Sequence, residues 1–215
     1  DLEAWRPLTI REYEVARQVA MGLTNAGGTA LTLTLNGNTA ALASREIVRL
    51  AKTIPARIEV NLFHRTETRV ARIAKCLRDA GAKEILGPRP DARIPGLESK
   101  RALCHRDGIF RADVVLVPLE DGDRAEALAR MGKTVISIDP NPLSRTSQSA
   151  TVPIVDDVTR ALTNLEKFAG DLRKDPLEAR RVARAYDRSG NLRANHDYLR
   201  WRLQSLGRGA RSRRR

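Results

Sequence analysis

The sequence predicts an α/β domain: a mainly parallel sheet with helices on both faces, plus C-terminal helices. Two observations predict it. Short β-rich runs alternate along the chain with amphipathic segments of helical period, as in βα units joined by right-handed crossovers. After the last such run the pattern stays helical and no strand follows. The final helices must therefore pack on the domain or supply a dimer contact.

The elements follow in order. Thr9 with Glu12 makes a capping box, and an apolar helical period runs from Ile10 to about Leu23. Gly27 and Gly28 end that connection. "TALTLTL" (29–35) alternates at period two and reads as a strand. "SREIVRLAKTI" reads as a helix capped at Ser44, with Ile47, Val48 and Ala51 on one face. "RIEVNLF" is a strand. In "ETRVARIAKCLRDAGA", Val70, Ile73, Ala74 and Leu77 fall on one helical face, and Gly81 closes the end. "KEILG" reads as a short strand, and 88–110 as a long irregular stretch. "ADVVLVPL" is a buried strand, "DRAEALARMG" a helix, "KTVISID" and "ATVPIV" strands. "DDVTRALTNLEKFAGDL" is a helix with acidic residues where the macrodipole favours them. Two more helices, about 176–188 and 192–206, are separated by "SGN". The organisation read from this is an α/β nucleotide-binding domain (1–172), a helical segment packed on it (173–206) and a disordered basic tail (207–215, "GRGARSRRR").

Composition narrows the function. The 215 residues suit one full core. No apolar run approaches the roughly 18 residues that span a bilayer, so no membrane is expected. No secretory signal opens the chain, and the cytoplasm is the expected compartment. Cys76 and Cys104 form no CxxC, and His64, His105 and His196 fit no zinc spacing. The net charge of +13 comes with only 4% aromatic residues, so there is no stacking platform for single-stranded nucleic acid. Surplus arginine equally suits anionic small molecules.

Ligands of an open parallel sheet bind beyond the carboxyl ends of its strands. Four strand exits here are polar: "NGN" with Asn36 and Asn38; Asn61 with His64, Arg65 and Thr66; "EDGDR" with Glu120, Asp121, Asp123 and Arg124; and "DPNPLSRT". "NGN" reads either as a tight turn or as part of a site. "EDGDR" reads as a turn with Asp123 as a helix N-cap, or as carboxylates around Mg2+. "DPNPLSRT" exceeds what a turn needs. Asp139 and Asn141 suit ribose hydroxyls or a base edge, Arg145 suits phosphate oxygens, and Ser144 and Thr146 add hydroxyls. No GxGxxG and no Walker sequence occurs. The loop carrying Arg89, Arg93, Lys100, Arg101, His105 and Arg106 reads either as a cover presenting cations or as a mobile basic loop.

"VNLFHRTETRVARIAKCLRDAGAKEILG", "IPGLES", "ADVVLVPLEDGDRAEALARMGKTVISIDPNPLSRTSQSATVPIVDDVTRAL" and "NLEKF" closely resemble the archaeal 4-phosphopantoate–β-alanine ligases, or phosphopantothenate synthetases. The resemblance covers roughly 26–206. It implies a Rossmann-like domain with helical C-terminal part, usually a homodimer. It implies that 4-phosphopantoate is joined to β-alanine through an acyl-adenylate, with ATP cleaved to AMP and diphosphate, in coenzyme A biosynthesis. The family's ATP-binding "D-x-N" falls on Asp139, Pro140 and Asn141, its "RT" on Arg145 and Thr146, and its next-helix pair on Asp157 and Val158. Family members often have asparagine where Asp157 stands. The family's opening "GRGEAFDYL"-like motif has no counterpart here, since the chain opens "DLEAW". For the chemistry, Arg145 and Mg2+ suit the departing diphosphate. Arg65, Lys100 and Arg101, with Asn36, Asn38 and Asn61, are assigned to the acid substrate. Glu120, Asp121 and His64 stand as candidate bases. An ATP-binding protein without catalysis and a basic nucleic-acid binder remain the alternatives.

Overall fold

The computed structural model describes residues 30–175, 177, 178, 181 and 185–212. The expected helix over 10–23, the glycines at 27–28 and positions 176, 179, 180 and 182–184 of the expected 176–188 helix lie outside the described residues.

Five strands form one all-parallel sheet: β1 (Leu31–Leu35), β2 (Ala56–Val60), β5 (Val114–Pro118), β6 (Thr134–Ile138) and β7 (Val152–Ile154), in the order β2-β1-β5-β6-β7. Around it run α1 (Gly37–Thr53), α2 (Glu67–Asp79), α3 (Gly122–Arg130), α4 (Arg145–Ser149), α5 (Val158–Leu172) and α6 (Arg188–Ser212). The period of two decides which residues face which way. Leu31, Leu33, Leu35, Ile58, Val60, Leu116 and Ile136 join one core with Ile47 and Leu50 of α1, Val70 and Leu77 of α2, and Leu162 and Leu165 of α5. Each buried leucine or isoleucine contributes about 1.5–3 kcal/mol. On the other face Val115, Val117 and Val135 meet Ala125 and Leu128 of α3.

That second face is completed by the long loop, not by another helix. Ile94, Ala102, Cys104 and Ile109 are all fully buried against it. A two-residue hairpin, β3 (Ala92–Arg93) with antiparallel β4 (Leu103–Cys104), gives the loop a backbone frame. Two polar residues, Glu59 on β2 and Asn61 just past its end, pin it. Glu59 Oε1 accepts the N–H of His105 and Oε2 that of Ile109, each at 2.7 Å. Asn61 Nδ2 donates to the carbonyls of Arg101 (3.1 Å) and Leu103 (2.9 Å). Burial pushes the Glu59 carboxyl above its ordinary range, and the two amide bonds oppose that. The basic stretch is thus a structural layer.

Three element boundaries differ from the sequence reading. The helix read from "SREIVRLAKTI", α1, begins at Gly37 with Asn36 as N-cap, and Ser44 follows a break at Ala43 (φ −143°, ψ 29°) inside it. "KEILG" makes only a single bridge, Leu86 to Glu59, because the chain turns to enter the loop. "SGN" lies within α6. Asp187 accepts the N–H of Gly190 (2.9 Å), and its carbonyl accepts that of Asn191 (3.0 Å), so the helix starts before the glycine. The helical backbone continues to Ser212, inside the stretch expected to be without structure. Extending a formed helix is easier than nucleating one. Cys76 and Cys104 are free thiols.

A Cβ on Gly108 would overlap Glu59 Oε2 and press on Leu86. Gly108→Ala is therefore expected to destabilise the protein by about 1–3 kcal/mol. The urea midpoint should fall with an unchanged slope; an unmoved midpoint would mean that Glu59 does not hold the loop at this point.

Candidate functional site

Chain order reverses between β1 and β5, so the crevice beyond their carboxyl ends is where this topology places a ligand. Asn36 spans that crevice. Its Oδ1 accepts the N–H of Thr39 (3.0 Å), and its Nδ2 donates to the carbonyl of Leu119 (2.7 Å). Both ends of the amide are therefore engaged in building the rim. Asn38 lies exposed in the first turn of α1. Leu119 holds φ at 51°, costing about 1–3 kcal/mol for a residue with a side chain. It redirects the chain into Glu120. The N-cap of α3 is then Asp121, and not the expected Asp123, because the helix already starts at Gly122. Gly122 admits α4: a Cβ there would overlap the Cβ of Arg145. Thr146 Oγ1 donates to the Glu120 carbonyl at 2.6 Å. The exits of β1, β5 and β6 thus share one rim.

Below that rim lies a buried ion cluster. Glu120 pairs with Arg124 through Oε2 and with Arg101 through Oε1, and Oε1 also accepts the N–H of Asp121 at 2.9 Å. The Glu120 side chain is 1% exposed and that of Arg124 0%. Arg124 also donates to Thr34 Oγ1 at 2.8 Å. Burial lowers the Arg124 pKa to about 10, with Glu59 pulling it back up, so it stays charged at neutral pH. Arg101 reaches Asp121 at 2.8 Å, and its guanidinium lies 5.6 Å from the Phe63 ring centroid.

The β2 exit adds further cations. Arg65 donates to the carbonyls of Gly87 and Pro88, and burial lowers its pKa. Lys100 Nζ reaches the Arg65 carbonyl at 3.4 Å. His64 stacks edge-on to Phe63 at 4.8 Å, and both are exposed. Asn61 Oδ1, Arg65 Nη1 and Arg101 Nε are buried without a hydrogen-bond partner. Buried polar atoms of this kind call for an explanation, and a bound ligand is one.

At the β6 exit, much of the hydrogen-bonding equipment builds its own turn. Asp139 accepts from Asn141 N (2.8 Å), and Asn141 Oδ1 accepts from Leu143 N (3.0 Å). Ser144 caps α4. Pro140, Pro142, Asp156, Asp157, Arg160 and Tyr198 line a cleft of about 190 Å3 beside α6. Asp157 caps α5, and Val158 is buried, so only the Val158 backbone can face a ligand. Arg145 is exposed and turns outward, donating to both oxygens of Glu126 on α3 (3.3 and 3.1 Å). Its backbone is at the rim while its charge is held along the flank. A larger cavity of about 640 Å3 opens at the amino half of β2, lined by Lys52, Arg57, Lys83 and His105. It touches none of the strand exits. The convergence of rim groups, not cavity size, locates the site.

Sequence reasoning missed Glu59, the partners of Arg124, and Phe63. A carboxylate in the middle of an otherwise apolar parallel strand was the available signal for Glu59. Nothing local in the sequence reveals that Arg124 faces inward. Among the described residues no group of three or more His, Cys, Asp or Glu side chains could hold a metal ion. Glu120 and Asp121 are instead held by Arg101, so "EDGDR" does not form a Mg2+ cage.

A parallel α/β domain whose carboxyl rim gathers arginines and amides is the class that fold and site define. The chain belongs to the phosphopantothenate/pantothenate synthetase family, whose model matches residues 14–202. It is 58% identical over 146 residues to the 4-phosphopantoate–β-alanine ligase of Methanosarcina mazei, covering 68% of this chain and 57% of that protein. It is 50% identical to the Methanospirillum hungatei ligase (81% and 70% covered) and 45% identical to that of Thermococcus onnurineus (82% and 69%). The chain thus spans between about half and 70% of the length of these relatives. A solved mycobacterial protein complexed with NADPH aligns at 13% identity over 86% of this chain and 58% of that one, with a TM-score of 0.28. No helix among the described residues is long and apolar enough to cross a membrane.

Two stability measurements test the site. Glu120→Ala leaves Arg101 and Arg124 buried without their common partner and is expected to cost about 3–5 kcal/mol. A loss below about 1 kcal/mol would mean the cluster is not formed. Asp157→Ala removes a cap and should cost about 1 kcal/mol at pH 7. The Thr159 hydroxyl and the helix amides hold the Asp157 carboxyl below its ordinary 3.8. Its contribution is therefore full above that value and lost as pH falls through the depressed one. The gap between variant and parent should close in that acid window, as read by chemical denaturation.

Proposed function

We propose that this protein is an ATP-dependent ligase that joins 4-phosphopantoate and β-alanine to 4'-phosphopantothenate, releasing AMP and diphosphate, in the coenzyme A pathway of the cytoplasm. The observation that carries this reading is 45–58% identity to relatives named 4-phosphopantoate–β-alanine ligase.

The residue roles follow from placement and chemistry. Pro140 lines the cleft, and it and its chain neighbours Asp139 and Asn141 take the nucleoside, with the backbone N–H of Val158 beside them. Arg145 leaves Glu126 for the phosphates when ATP binds. Both partners are exposed at their charged ends, so the exchange is easy. Thr146 ties this turn to Glu120. Arg65, Lys100 and Arg101 receive the anionic groups of phosphopantoate, with Asn36, Asn38 and Asn61 shaping the floor. The phosphopantoate carboxylate attacks the α-phosphate and diphosphate leaves. The β-alanine amine then attacks the acyl carbon, AMP leaves, and the amine proton passes to a base. Mg2+ would travel on the nucleotide's own phosphates. Leu203 and Leu206, three residues apart and both exposed, share one side of α6 and supply an apolar surface for a homodimer contact.

β-Alanine-dependent AMP release measures the reaction. Arg145→Ala should lower kcat/KM by about 10^2-fold or more, the usual cost of removing one preorganised donor. Glu126→Ala should leave turnover in place. Unchanged kinetics in Arg145→Ala would remove Arg145 from the site. ATP-induced thermal stabilisation without AMP release by the unaltered chain would replace the ligase reading with ATP binding alone. Binding to nucleic acid that weakens steeply with salt, and no AMP, would favour the basic-binder reading.

A further inference from the structure

We propose that Glu120 and Arg124 are positioning residues: they form a buried strut that fixes the Arg101 guanidinium at the rim for an anionic group of the acid substrate. The inference rests on the ligase reading for the identity of that substrate.

The strut begins in the sheet. Thr34 is on the face of β1 turned from the leucines, and its Oγ1 donates to the Leu116 carbonyl at 3.1 Å, which fixes its own orientation. Arg124 Nη2 donates to that same oxygen and to Glu120. An arginine buried on a helix face beside Ala125, Ala127 and Leu128 is costly to desolvate. Packing alone would favour an apolar residue there. What Arg124 achieves is to hold one carboxylate oxygen of Glu120 so that the other meets Arg101.

Arg101 is then determined from several sides. Asn61 holds its carbonyl, Glu120 and Asp121 hold Nη1, and Phe63 lies against its guanidinium. Its Nε remains buried and without a partner, as does Nη1 of neighbouring Arg65. A guanidinium held in place with an N–H to spare is suited to a carboxylate or phosphate oxygen arriving from the rim. The same contacts remove Glu120 from the bases. Its two oxygens are already ion-paired with two guanidiniums, one of them also accepts a backbone amide, and the side chain is 1% exposed. No face of that carboxylate is open to an incoming amine.

The two roles separate by half-reaction. ATP–diphosphate exchange driven by 4-phosphopantoate needs the acid substrate but no β-alanine and no amine base. The Glu120→Leu/Arg124→Met double variant replaces the buried Glu120–Arg124 pair with apolar side chains, a change such pairs often tolerate in folding, and leaves Arg101 with Asp121 alone. Thr34→Val removes only the sheet end of the strut and keeps its shape. In the exchange assay the double variant should raise KM for 4-phosphopantoate about tenfold or more, with KM for ATP held within about twofold. Thr34→Val should show the same selectivity at a few-fold, and it decides the matter alone if the double variant does not fold. The pH profile of the complete reaction should keep its acid limb in both. Normal exchange with loss confined to the β-alanine step would overturn the strut and restore Glu120 as base. Equal changes for both substrates would overturn it too. Absence of exchange in the unaltered chain would retire the ligase reading and the inference together, whereas unaltered activity with indifferent variants retires the strut alone.

Discussion

The carboxylate of Glu120, shared between two guanidiniums out of contact with water, is the interaction on which the site's architecture depends. Each of its partners comes from a different part of the fold. Arg124 rises from α3 and touches β1 through Thr34, while Arg101 comes from the loop layer. The Glu120 backbone carbonyl meets Thr146 of α4. A charge cluster at this depth is weak evidence of stability, since apolar replacements often do as well. Its consequence is geometric. It forces β1, β5, α3, α4 and the loop to agree on one arrangement at the carboxyl end of the sheet.

The loop layer poses a second constraint. In a doubly wound sheet each face is normally covered by helices. Here α3 covers part of one face and the stretch 88–110 covers more of it, bringing backbone amides into a region of low dielectric. Those amides need acceptors. Glu59 supplies two, and Asn61 supplies two donors to carbonyls nearby. The same residues that make the loop foldable therefore set where Lys100 and Arg101 stand. Packing and site geometry are one problem at this strand.

The period of two in "TALTLTL" and the long apolar run of "ADVVLVPL" made the strands readable, because a parallel strand carries its signature locally. The polar exits were readable for the same reason, being strand ends. What escaped were pairings across the chain. Glu59 finds amides 46 and 50 residues away, and Arg124 finds a threonine 90 residues earlier. No spacing rule connects such positions. Ser44 made a plausible cap, and the break at Ala43 shows what that signal reported: a restart inside one helix. Asn36 and Thr146 belong to the rim, but part of their bonding capacity goes into holding it together. A residue type alone could not apportion those two uses.

The rim holds cations of two kinds, and the difference has a physical basis. Arg101 is buried, paired to a buried carboxylate and held at its backbone; moving it would expose or orphan charges. Arg145 is exposed and paired with Glu126, so water and salt already share its stabilisation. A fixed guanidinium suits a group already anionic when it arrives, because nothing must reorganise. An exchangeable one suits the phosphates of the nucleotide in the proposed reaction, which would have to be admitted, held and released. The buried cluster and the exposed pair are joined through one short connection, Thr146 Oγ1 to the Glu120 carbonyl. Arg145 therefore stands at a helix start that the buried cluster holds in place.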